Sequence, residues 1–176
     1  MNRRVIVAGL VLVTTVAGLP VMEGCSTSPR YEPGASTPPD FALSVTVLTA
    51  AKDAKRTDVA PSQRPGRYVV EPDGVFRVAP WSSNLKLVPR PLGRLSPGQR
   101  DELYRLCVDA AFFDPGNPAL APDAESSPRT VNEPTAIVAV SGFGSRRTLE
   151  ISLDGRSEAA RRAERVIARL EELSRR

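Results

Sequence analysis

Few side chains in this sequence could carry out chemistry, and none of its 176 residues is a histidine. Histidine is the commonest general base, a member of the usual serine and cysteine triads and a ligand in most zinc sites. Cys107 is the only thiol beyond residue 25, and it falls within the apolar spacing of a predicted helix. A thiol in that position, with no candidate base, is typical of core packing. The sequence therefore predicts a protein that is not an enzyme and has no catalytic residue.

Three carboxylates lie in or beside a long proline-rich segment, at Asp114, Asp123 and Glu125. Carboxylate oxygens are ligands for hard cations such as Ca²⁺, so these residues could bind one. Their spacing matches no calcium-binding loop, and solvated loop charge is the interpretation we favour. We therefore predict no metal and no cofactor, and an enzyme that uses carboxylates or a metal is the alternative hypothesis.

The run Gly142-Phe143-Gly144-Ser145 has the composition of a glycine-rich phosphate loop. Such loops lead into a helix whose N-terminus binds the anion, whereas this run joins two β-rich segments with no helix directly after it. The sequence therefore predicts a hairpin turn at this position.

The first 25 residues have the pattern of an export signal. Arg3 and Arg4 provide a basic start, residues 5–22 form an uncharged apolar run, and Gly24 precedes Cys25. This pattern resembles a bacterial lipoprotein signal. The resemblance implies cleavage before Cys25, a diacylglycerol on its sulfur and a third acyl chain on its amine. Cys25 is therefore the predicted lipidation site.

A plain secretory signal and an uncleaved membrane anchor are the alternatives for this N-terminal segment. Glu23 stands where lipoprotein signals usually carry a small neutral residue. Pro20 argues against the uncleaved anchor, because it interrupts an apolar run that is already short for a bilayer span. Lipidation places the protein in the cell envelope, anchored to a membrane and facing the periplasm or the exterior.

Composition divides the chain into three parts. We predict a signal peptide over residues 1–24, a disordered tether over 25–40 that is rich in proline and small polar residues, and one domain over 41–176. Flexible loops are predicted near 50–65 and 114–134. A net charge of +4 with only 5% aromatic residues is not the pattern of a nucleic-acid-binding surface, so no nucleic-acid partner is predicted.

Alternating apolar and polar residues predict a strand, two hairpins and a candidate edge strand. The predicted strands cover residues 41–49, 67–71, 75–79, 135–141 and 147–153, with 85–88 as the candidate edge strand. Pro72-Asp73-Gly74 joins the strands of the first hairpin, because proline presets a turn φ and glycine accepts a positive one.

Two amphipathic helices are predicted, the first capped by Ser96 with Gln99 closing a capping box, and the second capped by Ser157. The first should end near residues 112–114. Their apolar stripes comprise Leu103, Leu106, Cys107 and Ala110, then Ala163, Val166, Ile167, Leu170 and Leu173. One core can bury every stripe in an α+β fold of two layers, an antiparallel sheet of about five strands with both helices packed on one face.

Two surface features could contact a partner. Trp81, the only tryptophan, is the candidate partner contact, and covering a sheet edge is the other interpretation of it. The last helix carries several arginines that could face anionic lipid. However, Glu158 with Arg162 and Glu172 with Arg176 have the i, i+4 spacing of ion pairs, which favours an ordinary solvated face.

The element order also supports a resemblance to known proteins. The residues that carry it are Arg67-Tyr68-Val69-Val70-Glu71-Pro72-Asp73-Gly74, Leu95-Ser96, the helix from Leu103 to Phe113 with its paired aromatics, and Leu170 and Leu173 of the closing helix. Together they resemble a class of uncharacterised bacterial lipoproteins with a hairpin-helix-hairpin-helix domain. The order is also similar to emfourin, a small bacterial inhibitor of thermolysin-like metallopeptidases. No glycine-rich opening strand of the emfourin kind is present, so no inhibitory residue is carried over.

These observations favour a non-catalytic envelope lipoprotein, held to the membrane through a lipid on Cys25. Its domain would bind a protein or the cell wall, and the emfourin resemblance implies that a peptidase is one such partner. The rival hypothesis is a carboxylate- or metal-dependent envelope enzyme.

Overall fold

The computed structural model describes residues 36–49, 60–80, 88–114, 134–153 and 155–176. The strands are β1 (Ala42–Leu48), β2 (Gly66–Val70), β3 (Val75–Pro80), β4 (Arg90–Arg94), β5 (Thr135–Gly142) and β6 (Ser145–Ser152). The helices are α1 (Pro97–Asp109) and α2 (Glu158–Ser174), and a short 3₁₀ helix covers Pro61–Gln63.

The strands form one antiparallel sheet in the order β4-β3-β2-β1-β5-β6. Alternate side chains of a strand point to opposite faces, and those of the central strand β1 divide accordingly. Leu43, Val45 and Val47 are buried, whereas the residues between them are only partly covered. Apolar residues of β2, β5 and β6 and the stripes of both helices complete the same core. The predicted two-layer α+β fold is therefore confirmed.

Within the described residues the sheet has six strands, whereas the sequence predicted about five. The additional strand is β4, an edge strand that contains Pro91 and Gly93. Its residues have low β-propensity, and pairing with β3 holds them in place despite that. Of the candidate edge strand at 85–88, only Val88 lies in the described residues, and it is not in a strand.

The start of α1 follows the prediction. The hydroxyl of Ser96 accepts from the backbone N–H of Gln99 at 3.3 Å, and the Gln99 amide oxygen accepts from the N–H of Ser96 at 2.8 Å. This reciprocal pair satisfies two N–H groups that a helix leaves without intrahelical partners.

The end of α1 was predicted near residues 112–114, but the helix stops at Asp109. Ala111 has a φ of 56°, which turns the chain into the left-handed region. The N–H of Phe112 then donates to the carbonyl of Cys107 at 3.0 Å, and the N–H of Ala111 to that of Val108 at 2.7 Å. This is a Schellman arrangement in which alanine occupies the usual glycine position, and the buried Phe112 is the reason the chain turns inward.

The helix α2 begins after Ser157, whose hydroxyl accepts from the N–H of Ala160 at 2.9 Å, as predicted. All five apolar residues predicted for its stripe are buried. The helix packs against α1, β6 and the 3₁₀ helix. Gln63 of that 3₁₀ helix donates to the carbonyl of Leu153 at 2.9 Å, so part of the predicted 50–65 loop is tied to the domain.

Residues 36–40, which the sequence assigned to the tether, also contact the domain. Pro38 is buried, and the hydroxyl of Thr37 donates to the carboxylate of Asp101 in α1. The remainder of the predicted tether, the predicted signal peptide and residues 115–133 of the second predicted loop lie outside the described residues.

Candidate functional site

The face of the sheet opposite the helices is the candidate site. Neither helix packs on it, because both contribute their apolar stripes to the core on the other face. Ala42, Ser44, Thr46 and Leu48 of the central strand point to this open face and are partly exposed. An open face of an antiparallel sheet is usually polar and hydrated. Apolar side chains on such a face therefore indicate a role other than contact with water.

Short and β-branched side chains occupy the middle of the open face. Ser44 lies opposite Val69 of β2 on one side and Ala139 of β5 on the other. In the next row, Thr46 lies opposite Ile137, which is 36% exposed. Directly opposed residues on adjacent strands share a face, so these residues form one continuous patch of small and medium-sized side chains. We call Ser44, Thr46, Val69, Ile137 and Ala139 the central patch.

Arginines border the central patch on the side of β2 and β3. Arg67 is exposed and lies directly opposite Thr46. Arg77 lies opposite Val69 and forms an ion pair with Glu71 at 2.6 Å. Within the part of the chain that the structure describes, Arg67 has no ion-pair partner. Its guanidinium is therefore available to a carboxylate that approaches the open face.

The side chains of the open face can form hydrogen bonds, ion pairs and apolar contacts. It offers hydroxyls, short apolar side chains and guanidinium groups, and Glu150 of β6 lies opposite Ile137 at the far border. Among the described residues, no three acidic or cysteine side chains are close enough together to hold a metal ion. A flat surface with an arginine beside exposed aliphatic carbon has the composition of many protein-binding patches.

A group of aromatic rings lies at the end of the sheet where β1 begins. Tyr104 of α1 is buried, and its ring centroid is 5.4 Å from that of Phe41, 5.6 Å from that of Phe113 and 6.4 Å from that of Phe143. Phe143 is 40% exposed at the tip of the β5–β6 hairpin. This group was not predicted from the sequence. Tyr104 lies three residues before Cys107, which places both on adjoining parts of one helical face.

The run Gly142-Phe143-Gly144-Ser145 is a hairpin turn, as predicted. Gly142 and Ser145 are paired across β5 and β6, and the two residues between them both have positive φ, 54° for Phe143 and 72° for Gly144. Two central residues of positive φ match the right-handed twist of a hairpin. Strand β6 follows this turn directly, so in the described part of the chain no helix N-terminus adjoins it to bind a phosphate.

Cys107 lies in the core, as predicted, and is 0% exposed. Burial raises the pKa of its thiol far above the ordinary value, because the apolar surroundings disfavour the thiolate. A thiol that stays protonated and out of contact with water is a poor nucleophile. The structure therefore assigns Cys107 to packing.

The other residues named from the sequence fall in several places. Asp114 is exposed at the end of a described segment. The predicted lipidation site Cys25, the candidate partner contact Trp81 and the carboxylates Asp123 and Glu125 lie outside the described residues. These assignments stay predictions.

The arginines of α2 form the ion-paired face that the sequence predicted. Arg162 pairs with Glu158 at 2.9 Å and Arg176 pairs with Glu172 at 2.8 Å. Hydrogen bonds from Arg161 and Arg162 lower the pKa of Glu158. Those from Arg169 and Arg176 lower the pKa of Glu172. Charge on this face is therefore largely compensated within the helix.

One buried carboxylate was missed. Glu171 is 7% exposed, and its Oε1 accepts from Arg64 at 3.2 Å and from Arg175 at 2.5 Å. Burial, and then the charge of Glu171, raise the pKa of Tyr68 to about 12. The position of Glu171, four residues after Ile167, was a signal that it lies on the apolar stripe.

Comparison of the sequence with models of known protein families gives no match, and comparison with curated proteins gives no significant one. No helix in the described parts of the chain is both long and apolar enough to span a membrane.

Proposed function

We propose that this protein is a lipid-anchored component of the cell envelope whose domain binds another protein without catalysing a reaction. The observation that carries the proposal is the open face of the sheet, where Arg67 stands beside the low, partly apolar central patch. The lipid anchor rests on the sequence pattern that ends at Cys25.

The chemistry of the open face supports one kind of partner. Ile137 and Val69 offer aliphatic surface. Contact with apolar side chains of a partner removes this surface from water and so stabilises the complex. Arg67 offers a planar guanidinium that binds a carboxylate with two parallel hydrogen bonds. The partner we expect is therefore a protein surface with an aliphatic centre and a carboxylate beside it.

The anchor is tested by replacing the acceptor thiol. Each buried methylene of an acyl chain contributes about 0.8 kcal/mol, so two or three chains hold a protein firmly on a membrane. Cys25→Ser should therefore move the protein from the membrane fraction to the soluble fraction. A Cys25→Ser protein that stays in the membrane fraction would indicate that residues 5–22 remain as an uncleaved anchor.

The binding surface is tested by affinity capture from detergent-solubilised membranes, with the amount of each captured protein measured by mass spectrometry. A genuine partner should be lost from Arg67→Glu and from Ile137→Glu. The matched control is Arg105→Glu, which makes the same charge change at an exposed position of α1, on the helix side of the domain. The control should keep the partner.

Two results would contradict the proposal that the partner binds the open face. One is a partner retained by both open-face variants, and the other is a partner lost equally from the Arg105→Glu control. The rival enzyme hypothesis would be supported by two results together. An activity screen would find turnover that requires an added divalent metal, and affinity capture would give no stoichiometric partner.

A further inference from the structure

The two edge strands of the sheet differ in how they are protected. β4 has five residues, includes Pro91, and pairs with β3 through a register shift between Phe76 and Arg77. Proline, irregular pairing and short length are common means of preventing an edge from recruiting another strand. β6 at the opposite edge has eight residues, no proline and an unbroken register with β5. Among the described residues, these protective features are therefore present in β4 and absent from β6.

The backbone groups at the β6 edge can be assigned from the hairpin. A two-residue turn is closed by a hydrogen-bonded pair, here Gly142 and Ser145, and such pairs alternate with pairs that are not hydrogen-bonded. Residues 146, 148 and 150 of β6 therefore direct their N–H and C=O groups away from β5. Among the described residues, no strand other than β5 pairs with β6.

The side chains at the same three positions define a register. Arg146, Thr148 and Glu150 all lie on the open face and are exposed, and the two opposite charges are equally spaced about the threonine. An antiparallel strand of identical sequence centred on Thr148 would place threonine opposite threonine, and arginine opposite glutamate twice. Threonine pairs and opposite-charge pairs are both favourable across strands. The charges of Arg146 and Glu150, which could repel other strands, therefore favour pairing with a second copy of β6.

We propose that β6 is a dimerisation edge, at which a second copy of this chain adds its own β6 in antiparallel register centred on Thr148. The positions that meet in this register are also those whose backbone groups point outward, so the side-chain and backbone requirements agree. The two-fold axis runs perpendicular to the sheet. It keeps both pairs of helices on one side and joins the two open faces into a single surface of twelve strands.

A strand pair of this length buries little area, so the dimer is expected to be weak and dependent on concentration. Dimerisation through β6 requires neither the lipid anchor nor a partner at the central patch. The two tests below therefore do not depend on those of the proposed function.

The first test is a charge exchange, read by sedimentation of the full chain in mild detergent over a range of concentrations. Arg146→Glu or Glu150→Arg alone places like charges opposite each other twice and should weaken the dimer about tenfold or more. The double variant Arg146→Glu/Glu150→Arg should restore it. Arg105→Glu on α1 should leave the dimer unchanged.

The second test is oxidative cross-linking. In the proposed register the two Thr148 Cα atoms are about 5.5 Å apart, within the range for a disulfide. Thr148→Cys should therefore give a covalent dimer. Ser152→Cys is the matched control, an exposed residue of the same strand that would lie about 27 Å from its copy. The parent chain measures any background from Cys25, while Cys107 is buried.

Restoration by the double variant, together with cross-linking at residue 148 and none at 152, would support the proposal. A chain that stays monomeric at every concentration would overturn it, as would a dimer indifferent to the charge exchange. Equal cross-linking at both positions, or pairing of β6 with a different protein in place of a second copy, would also overturn it.

Discussion

The carboxylate of Asp40 accepts a hydrogen bond from the backbone N–H of Phe143 at 2.9 Å, although 103 residues separate them in sequence. Its second oxygen accepts from the N–H of Gly144 at 2.6 Å. Asp40 therefore joins the chain that enters β1 to the tip of the β5–β6 hairpin. It also satisfies two backbone groups in a turn where a bulky residue has positive φ.

Replacement of Asp40 should reveal this connection through pH. The N–H groups of Gly144 and Phe143 lower the pKa of Asp40 from 3.8, its ordinary value. A lowered folded-state pKa gives stability that is present above the unfolded value and is lost as pH falls through the folded value. Asp40→Ala should therefore lower the free energy of unfolding by about 1 kcal/mol at neutral pH, with the difference shrinking in acid.

The measurement is urea unfolding at about pH 7 and about pH 2. Asp40→Asn is the control, because its amide oxygen still accepts a hydrogen bond but carries no charge. It should lie between the parent and Asp40→Ala at neutral pH. A difference between parent and Asp40→Ala that is the same at both pH values would contradict the role of the carboxylate.

Ala111 should be a site where glycine stabilises the protein. Its φ of 56° places the methyl group against backbone atoms, at a position where helices usually have glycine. Ala111→Gly should raise the free energy of unfolding by about 1 kcal/mol. The adjacent Ala110 has a φ of −77°, and Ala110→Gly should instead lower stability. Equal effects from the two changes would mean that the backbone at Ala111 is not strained.

Arg64 and Arg175 should substitute for each other beside Glu171. Both donate to the same oxygen, Oε1, and their side chains are 41% and 58% exposed, so either loss leaves the carboxylate paired. Each single change to alanine should cost about 0.5 kcal/mol, whereas the double change leaves a buried charge unpaired and should cost about 3 kcal/mol.

A double-mutant cycle by denaturant unfolding measures this difference. Glu171→Gln in the background of the double change is the control. It removes the buried charge and should recover part of the lost stability. If the stability losses of the two single changes add up to the loss of the double change, the two arginines do not substitute for each other beside Glu171.

Cys107 should behave as a small apolar residue. Cys107→Ala should cost about 1 kcal/mol through lost volume and leave partner binding unchanged. A water-soluble alkylating reagent should not label Cys107 until denaturant is added. Rapid labelling of the folded Cys25→Ser protein, in which Cys107 is the remaining thiol, would contradict its burial.

Local patterns in the chain were sufficient to predict most of the fold. The capping residues Ser96 and Ser157, the Pro72-Asp73-Gly74 turn and the alternation along β1 all act through neighbours close in sequence. Strand and helix periodicity also place the core residues correctly, because one core must bury every apolar stripe.

Other features depend on contacts between distant residues, and the sequence could not indicate them. β4 is a strand only because β3 supplies hydrogen bonds to residues of low β-propensity, and α1 ends early because Phe112 enters the core. Asp40 gains its partners from a hairpin tip far along the chain. Most importantly, cross-strand register places Thr46 between Arg67 and Ile137 and puts Arg146, Thr148 and Glu150 on an edge strand. The sequence by itself determined which residues are apolar and where both helices begin. The tertiary structure decided which face of the sheet the two helices leave open and which described strands lie at its edges, since strand order is set by long-range pairing.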